Sequence, residues 1–111
     1  MKLTIREYIT AQGACPFRSW LNRLDTKARA RIQARVLRFE TGNLGDHKAV
    51  GGGVYEARCQ FGAGYRIYFA RAGTTVILLL AGGDKASQRS DIRQARGFWG
   101  DYREATHDGT T

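Results

Sequence analysis

The sequence contains few of the residues that build metal and disulfide sites. Its 111 residues include two cysteines, Cys15 and Cys59, and two histidines, His47 and His107. The cysteines form no CxxC unit and have no metal-ligand spacing, so we expect two reduced thiols. Nucleotide-binding glycine motifs and the common hydrolase motifs are also absent. We therefore predict neither a metal nor a cofactor.

Long apolar runs are missing as well. The longest, residues 76–81, is far below the ~20 residues that span a bilayer and indicates a buried strand. The first ten residues, MKLTIREYIT, are interrupted by charges and do not resemble a secretory signal. We therefore expect no membrane partner and a cytoplasmic location.

Acidic residues are outnumbered by basic ones. Ten Asp and Glu face eighteen Lys and Arg, which gives a formal charge of +8 and a pI near 10.1. Fourteen of the eighteen are arginine, whose planar fork grips phosphate with two donors. This balance favours a nucleic-acid partner. A solvated basic surface and a docking face for an acidic protein remain alternatives.

The first half of the chain predicts one strand and two helices. Residues 3–9 alternate as a strand does. Pro16 is suited to the first turn of a helix. Asp25 is a candidate N-cap for a second helix, which ends near Gly42. Its apolar stripe consists of Ala28, Ile32, Val36 and Phe39.

The second half predicts three strands at residues 54–61, 65–71 and 74–81, followed by a helix capped by Ser87. The short turns make these strands an antiparallel meander. The three glycines at 51–53 are expected to be a flexible entry to the first of them. The whole is α+β, with helices on one face of an antiparallel sheet. We expect one domain over residues 1–104 and a flexible tail over residues 105–111.

Alternation within the meander brings polar side chains together. Glu56 and Arg58 share one face of their strand, and Arg66 and Tyr68 share a face of the next. Lys85 follows a glycine pair after the last strand. Cleaving RNA without a metal needs a base, an acid and a cation that stabilises the phosphorane. These five residues are the candidate catalytic set, with Glu56 as the candidate proton acceptor.

A second basic group is a candidate for binding RNA through its phosphates. It consists of Lys48, in the loop before the glycines, and four arginines of the second predicted helix, Arg29, Arg31, Arg35 and Arg38. Phosphate contacts position a protein without specifying a reaction. A merely solvated helix face is an equally good interpretation of these arginines.

Several segments resemble the RelE/ParE toxin superfamily. They are GVYEAR at residues 53–58, GAGYRIYF at 62–69 and LLLAGGDK at 78–85, followed by Gln88, Asp91, Ile92, Ala95 and Trp99. The resemblance is greatest to the phage-derived addiction-module killer proteins, a HigB-like branch. It implies the toxin of a type II toxin–antitoxin pair, neutralised by a protein antitoxin. Operator DNA would then be a partner only of the toxin–antitoxin complex.

The resemblance also implies roles for single residues. RelE-like toxins are ribosome-dependent mRNA interferases, so ribosome and mRNA are the implied partners. Arg66 matches the arginine that contacts the scissile phosphate, and Arg58 and Lys85 match other cations of the site. Glu56 stands where a catalytic lysine is often found, and the segment near Asp91 lacks a tyrosine that several relatives use. Two alternatives are a ParE-like inhibitor of DNA gyrase and a basic nucleic-acid-binding module.

Overall fold

The computed structural model describes residues 2–109, with side chains for residues 2–106. In chain order the elements are β1 (Thr4–Glu7), α1 (Pro16–Arg23), α2 (Thr26–Phe39), β2 (His47–Gly51), β3 (Val54–Arg58), β4 (Arg66–Ala72), β5 (Val76–Gly83) and α3 (Gln88–Gly109). The strands form one sheet in the order β1-β5-β4-β3-β2. The predicted α+β class is confirmed. No helix of the described residues is both long and apolar enough to cross a membrane.

The sheet is mixed and has five strands, so the prediction of an antiparallel sheet is wrong in two respects. β1 pairs with β5 in parallel, after a connection through the helices and three other strands. β2 is an additional edge strand that pairs with β3 where a loop was expected. Its residues are mostly exposed, so it lacks the alternation that marks a half-buried strand. Gly52 and Gly53 form the β2–β3 turn, and both of them and Gly51, the last residue of β2, have positive φ.

Helices cover both faces of the sheet, which corrects the prediction that they lie on one face. On one side Phe17 of α1 and Ile32 of α2 pack against Ile67 and Phe69 of β4. On the other, Ala95 and Trp99 of α3 belong to a cluster with Tyr68, Val54, Leu78 and Leu80. β4 and β5 are therefore buried on both faces, and a strand so placed is apolar at successive positions rather than alternate ones.

The helix starts follow from local chemistry. α1 begins at Pro16, and the carboxylate of Asp25 accepts a hydrogen bond of 3.2 Å from the Ala28 amide at the start of α2, as predicted. α3 runs to Gly109, so the predicted tail is helical over residues 105–109. The last two residues of that tail lie outside the described residues.

Candidate functional site

Two arginines lie side by side at one end of the sheet. Arg58 of β3 is opposite Arg66 of β4, and Arg66 is opposite Gly83 of β5. Directly opposed residues of antiparallel strands project from the same face. Alternation had assigned each arginine to one face of its own strand. The structure shows that these two faces are the same face of the sheet, so the arginines are neighbours. They line an open cleft of about 220 Å³, together with Cys59, Gln60, Gly64 and Tyr65.

Arg66 is held in place from below by a buried carboxylate. Glu56 is 0% exposed, and its Oε2 lies 3.6 Å from the Nε of Arg66. The same oxygen accepts hydrogen bonds from the Tyr68 hydroxyl at 3.1 Å and from the Gln88 amide of α3 at 2.8 Å. A buried charge is tolerated when it is paired and hydrogen-bonded in this way. Arg66 also donates from Nη1 to the carbonyl of Gly64 at 2.8 Å.

This arrangement changes the interpretation of Glu56 and Tyr68. Both side chains are 0% exposed, and neither lines the cleft of Arg58 and Arg66. Burial, the charge of Glu56 and the hydrogen bond to it raise the pKa of Tyr68, so the phenol stays protonated and acts as a donor. The structure does not support Glu56 as a proton acceptor from substrate, because no solvent reaches it. It acts instead on Arg66.

Arg58 is more accessible than Arg66. Its side chain is 43% exposed against 12% for Arg66, and its Nη2 lies 3.3 Å from the carboxylate of Asp46. Asp46 also accepts a hydrogen bond of 2.8 Å from the amide of Gln60. The Gln60 bond and then the Arg58 guanidinium lower the pKa of Asp46. Asp46 lies in a loop before β2, and no sequence pattern singled it out.

Lys85 lies beside the same cleft. Its backbone amide donates to the carbonyl of Ala63 at 3.3 Å, and its side chain is exposed. Gly64 has φ +75°, and a Cβ there would stand 3.3 Å from the Cβ of Lys85. The turn between β3 and β4 therefore packs directly against the segment that follows β5. The same Cβ at Gly64 would stand 3.5 Å from Nη1 of Arg66, so Lys85 and Arg66 both border Gly64.

Tyr65 was missed as a candidate for this site. Alternation placed it with Ile67 and Phe69, on the face away from Arg66. Tyr65 does pack against the core cluster that contains Ile67 and Phe69, and its ring centroid lies 6.1 Å from that of Trp20 of α1. Its position immediately before β4 nevertheless brings it to the cleft. Its side chain lines the cleft of Arg58 and Arg66 and also a neighbouring cleft of about 420 Å³ beside Gly82 and Gly83.

The predicted basic face of α2 divides into structural and exposed arginines. Arg35 is only 8% exposed, and its guanidinium donates to the carbonyls of Arg58, Leu44 and Asp46 at 2.7, 3.0 and 3.0 Å. Arg29 donates to the carbonyl of Leu24 at 2.9 Å, beyond the last turn of α1. Neither is a free surface cation, because these carbonyls accept from both terminal nitrogens of Arg35 and from Nη2 of Arg29.

The other predicted phosphate-binding cations are exposed. Arg31 and Arg38 project from α2, and the Arg31 guanidinium stands 4.0 Å above the ring of Phe61. Lys48 of β2 is paired with Glu56 of β3. It therefore lies on the α3 side of the sheet, apart from Arg31 and Arg38. Among the described side chains, no three His, Cys, Asp or Glu residues are grouped so as to hold a metal ion.

Comparison with known proteins places these residues in a family. Residues 19–96 match the family described as Phage derived protein Gp49-like (DUF891). The chain belongs to this family. Gp49-like proteins are a RelE/ParE-like toxin family. The match begins within α1 and ends within α3, so it contains every candidate residue described above.

A relative supports the same assignment. The Gp49-like chain is 44% identical over 81 residues to an uncharacterized protein of Haemophilus influenzae, covering 72% of this chain and 82% of that protein.

Proposed function

We propose that this Gp49-like protein is the toxin of a type II toxin–antitoxin pair and that it cleaves mRNA on the ribosome, as a HigB-like mRNA interferase does. The observation that carries the proposal is the Arg58–Arg66 pair at an open cleft, with Lys85 beside it. Each arginine has a carboxylate partner, Asp46 for Arg58 and Glu56 for Arg66. The side chain of Arg58 is nevertheless 43% exposed, and Lys85 carries a third positive charge beside the cleft, so the site suits a phosphodiester.

The arginines suit the charge that develops during RNA cleavage. Attack of a 2′-oxygen on the neighbouring phosphorus concentrates negative charge on the phosphorane oxygens. Arg66 is fixed by Glu56 and Gly64, so it stabilises that charge without reorganising. Arg58 approaches from the adjacent strand, and the proposal assigns to the Lys85 ammonium the protonation of the leaving 5′-oxygen.

The cleft offers little for removing the proton of the 2′-hydroxyl. None of the residues 58–60 and 64–66 that line it carries a carboxylate or an imidazole. Glu56 is buried beneath Arg66 and does not reach it. The Asp46 carboxylate, next to the cleft, is engaged by Arg58 and Gln60. We therefore propose that water or a group of the ribosome accepts that proton, which agrees with a ribosome-dependent activity.

A cognate protein antitoxin follows from membership of the toxin family. The formal charge of +8 suits an acidic antitoxin segment. We propose that operator DNA is bound only by the complex of the two proteins.

The test is an in vitro translation reaction followed by primer extension. The wild type is expected to produce discrete mRNA cuts, and Arg66→Ala is expected to abolish them. Arg71→Ala is the matched control, because it removes an exposed guanidinium from the other end of β4. Intact mRNA with the wild-type protein, in a reaction whose translation it still arrests, refutes the endoribonuclease.

One observation favours a second candidate function. Glu56 occupies the interior where many RelE-like toxins carry a catalytic lysine, and a buried carboxylate contributes no cation to the cleft. This fits a ParE-like inhibitor of DNA gyrase, which needs no cleavage chemistry. That alternative predicts inhibited supercoiling with intact mRNA.

A further inference from the structure

A second cleft adjoins the one that contains Arg58 and Arg66. It lies between α2 and the residues that follow β3, measures about 170 Å³, and is lined by Arg31, Arg35, Arg38, Cys59, Gln60 and Phe61. We infer that this α2 cleft is a second phosphate subsite, which binds the same RNA strand one or more nucleotides from the reacting phosphate. The inference rests on the proposed function and specifies how the RNA substrate of the Arg58–Arg66 cleft is held.

The charge of the α2 cleft is arranged for an anion. Three of its lining residues are arginines, and none of its lining residues is acidic. Arg35 is more than nine-tenths buried, and its Nε has no hydrogen-bond partner. That nitrogen is shielded from solvent and both terminal nitrogens donate to carbonyls, so Arg35 contributes its positive charge to the cleft rather than a free donor. Arg31 and Arg38 supply two further guanidiniums at the mouth.

Two of the three guanidiniums, those of Arg35 and Arg31, are held in place. Three carbonyl acceptors fix Arg35, and a Cβ at Gly45 would stand 2.8 Å from its Nη2, so the loop backbone closes directly over it. Arg31 lies over the ring of Phe61 at 4.0 Å, a cation–π contact that orients its fork. Donors that are fixed before binding lose little conformational freedom when the ligand arrives.

The two clefts are contiguous. Cys59 and Gln60 line both of them, so a single strand can pass from Arg66 to the arginines of α2 without leaving the surface. Asp46 stands at this junction and accepts hydrogen bonds from Gln60 and Arg58. A phosphate at this junction would compete with the Asp46 carboxylate for those two donors, so we place the subsite at Arg31 and Arg38 and not at the junction.

A binding experiment separates this subsite from catalysis. The probe is a fluorescent single-stranded RNA with 2′-O-methyl groups throughout, which cannot be cleaved by 2′-oxygen attack, and affinity is followed by anisotropy over a range of salt concentrations. The test variant is Arg31→Ala/Arg38→Ala. The matched control is Arg6→Ala/Arg71→Ala, which removes the same charge from exposed positions on β1 and β4. Arg35 is left intact because it supports the fold.

Each phosphate contact to single-stranded RNA contributes a slope of about −0.7 in log K against log salt. Loss of two contacts should therefore make the slope of the test variant shallower by about 1.4, while the control keeps the wild-type slope. Wild-type protein without measurable binding at low salt, or equal slopes for both double variants, overturns the subsite. So does a test variant that binds RNA normally and loses only its affinity for the antitoxin, because the cleft is then a protein interface.

The result is independent of the proposed activity. If the wild type leaves mRNA intact during translation but shows the expected change in slope, the proposed endoribonuclease fails and the phosphate subsite stands. If mRNA is cut and the slopes are equal, the subsite fails and the proposed function stands.

Discussion

The arginine that supports the α2 cleft should also be one of the most sensitive positions for stability. Arg35 donates to three carbonyls of the loop before β2 and the end of β3, at 2.7–3.0 Å, and it is almost fully buried. Hydrogen bonds that involve a charged group contribute about 1.5–3 kcal/mol each and do not add independently. We therefore expect Arg35→Ala to lower the free energy of unfolding by about 3–5 kcal/mol, a large part of the ~5–15 kcal/mol of an ordinary domain.

Urea denaturation measures this loss. With a slope near 2 kcal/mol per M, a loss of about 4 kcal/mol lowers the midpoint by about 2 M. Arg38→Ala, one turn further along α2 and exposed, is the control and should change stability by less than about 0.5 kcal/mol. Arg35→Lys should remain strongly destabilised, because an ammonium cannot reproduce the fork that reaches three carbonyls. Equal midpoints for Arg35→Ala and Arg38→Ala would refute the structural role of Arg35.

Three further outcomes are expected. Glu56→Gln removes the charge that holds Arg66, so mRNA cleavage measured by primer extension should fall at least about tenfold; wild-type rates would contradict this role. Gly82→Ala places a methyl group within the ring of Trp20 and should cost about 1–3 kcal/mol in urea denaturation, whereas Gly97→Ala, with open space in α3, should not destabilise. The pKa of the Asp46 carboxyl, followed by NMR titration, should lie below 3.8, and Gln60→Ala should raise it. The ionised Asp46 carboxylate stabilises the folded protein fully above the unfolded pKa, and this stabilisation is lost as the pH falls through the lower folded pKa.

The helical spacing of α2 indicated that Arg35 lies on the buried face, but its residue type suggested an exposed position. Ala28, Ile32, Arg35 and Phe39 recur at intervals of four, three and four residues, which is the spacing of one buried helix face. An arginine at such a position is ordinarily taken as solvated. Burial became favourable because a distant loop and the end of β3 present three carbonyls at that place, and helical periodicity carries no information about them.

The two edge strands, β1 and β2, show what sequence alternation cannot predict. Alternation identified β1 but could not show that it lies beside β5 in parallel, because the connection between them passes through most of the chain. β2 is short and largely exposed, so its pattern resembles that of a loop. Its pairing with β3 depends on the positive-φ glycines of the intervening turn.

Local chemistry within the sequence determined the order of the elements apart from β2, the Pro16 and Asp25 helix starts, and the positions of Arg58 and Arg66 on their strands. Caps, turns and alternation depend on residues a few positions apart, so they can be predicted without the fold. Only the tertiary structure decided that Glu56 is buried beneath Arg66 and that helices cover both faces of the sheet. Burial and pairing depend on residues far apart in the chain, whose meeting no local pattern specifies.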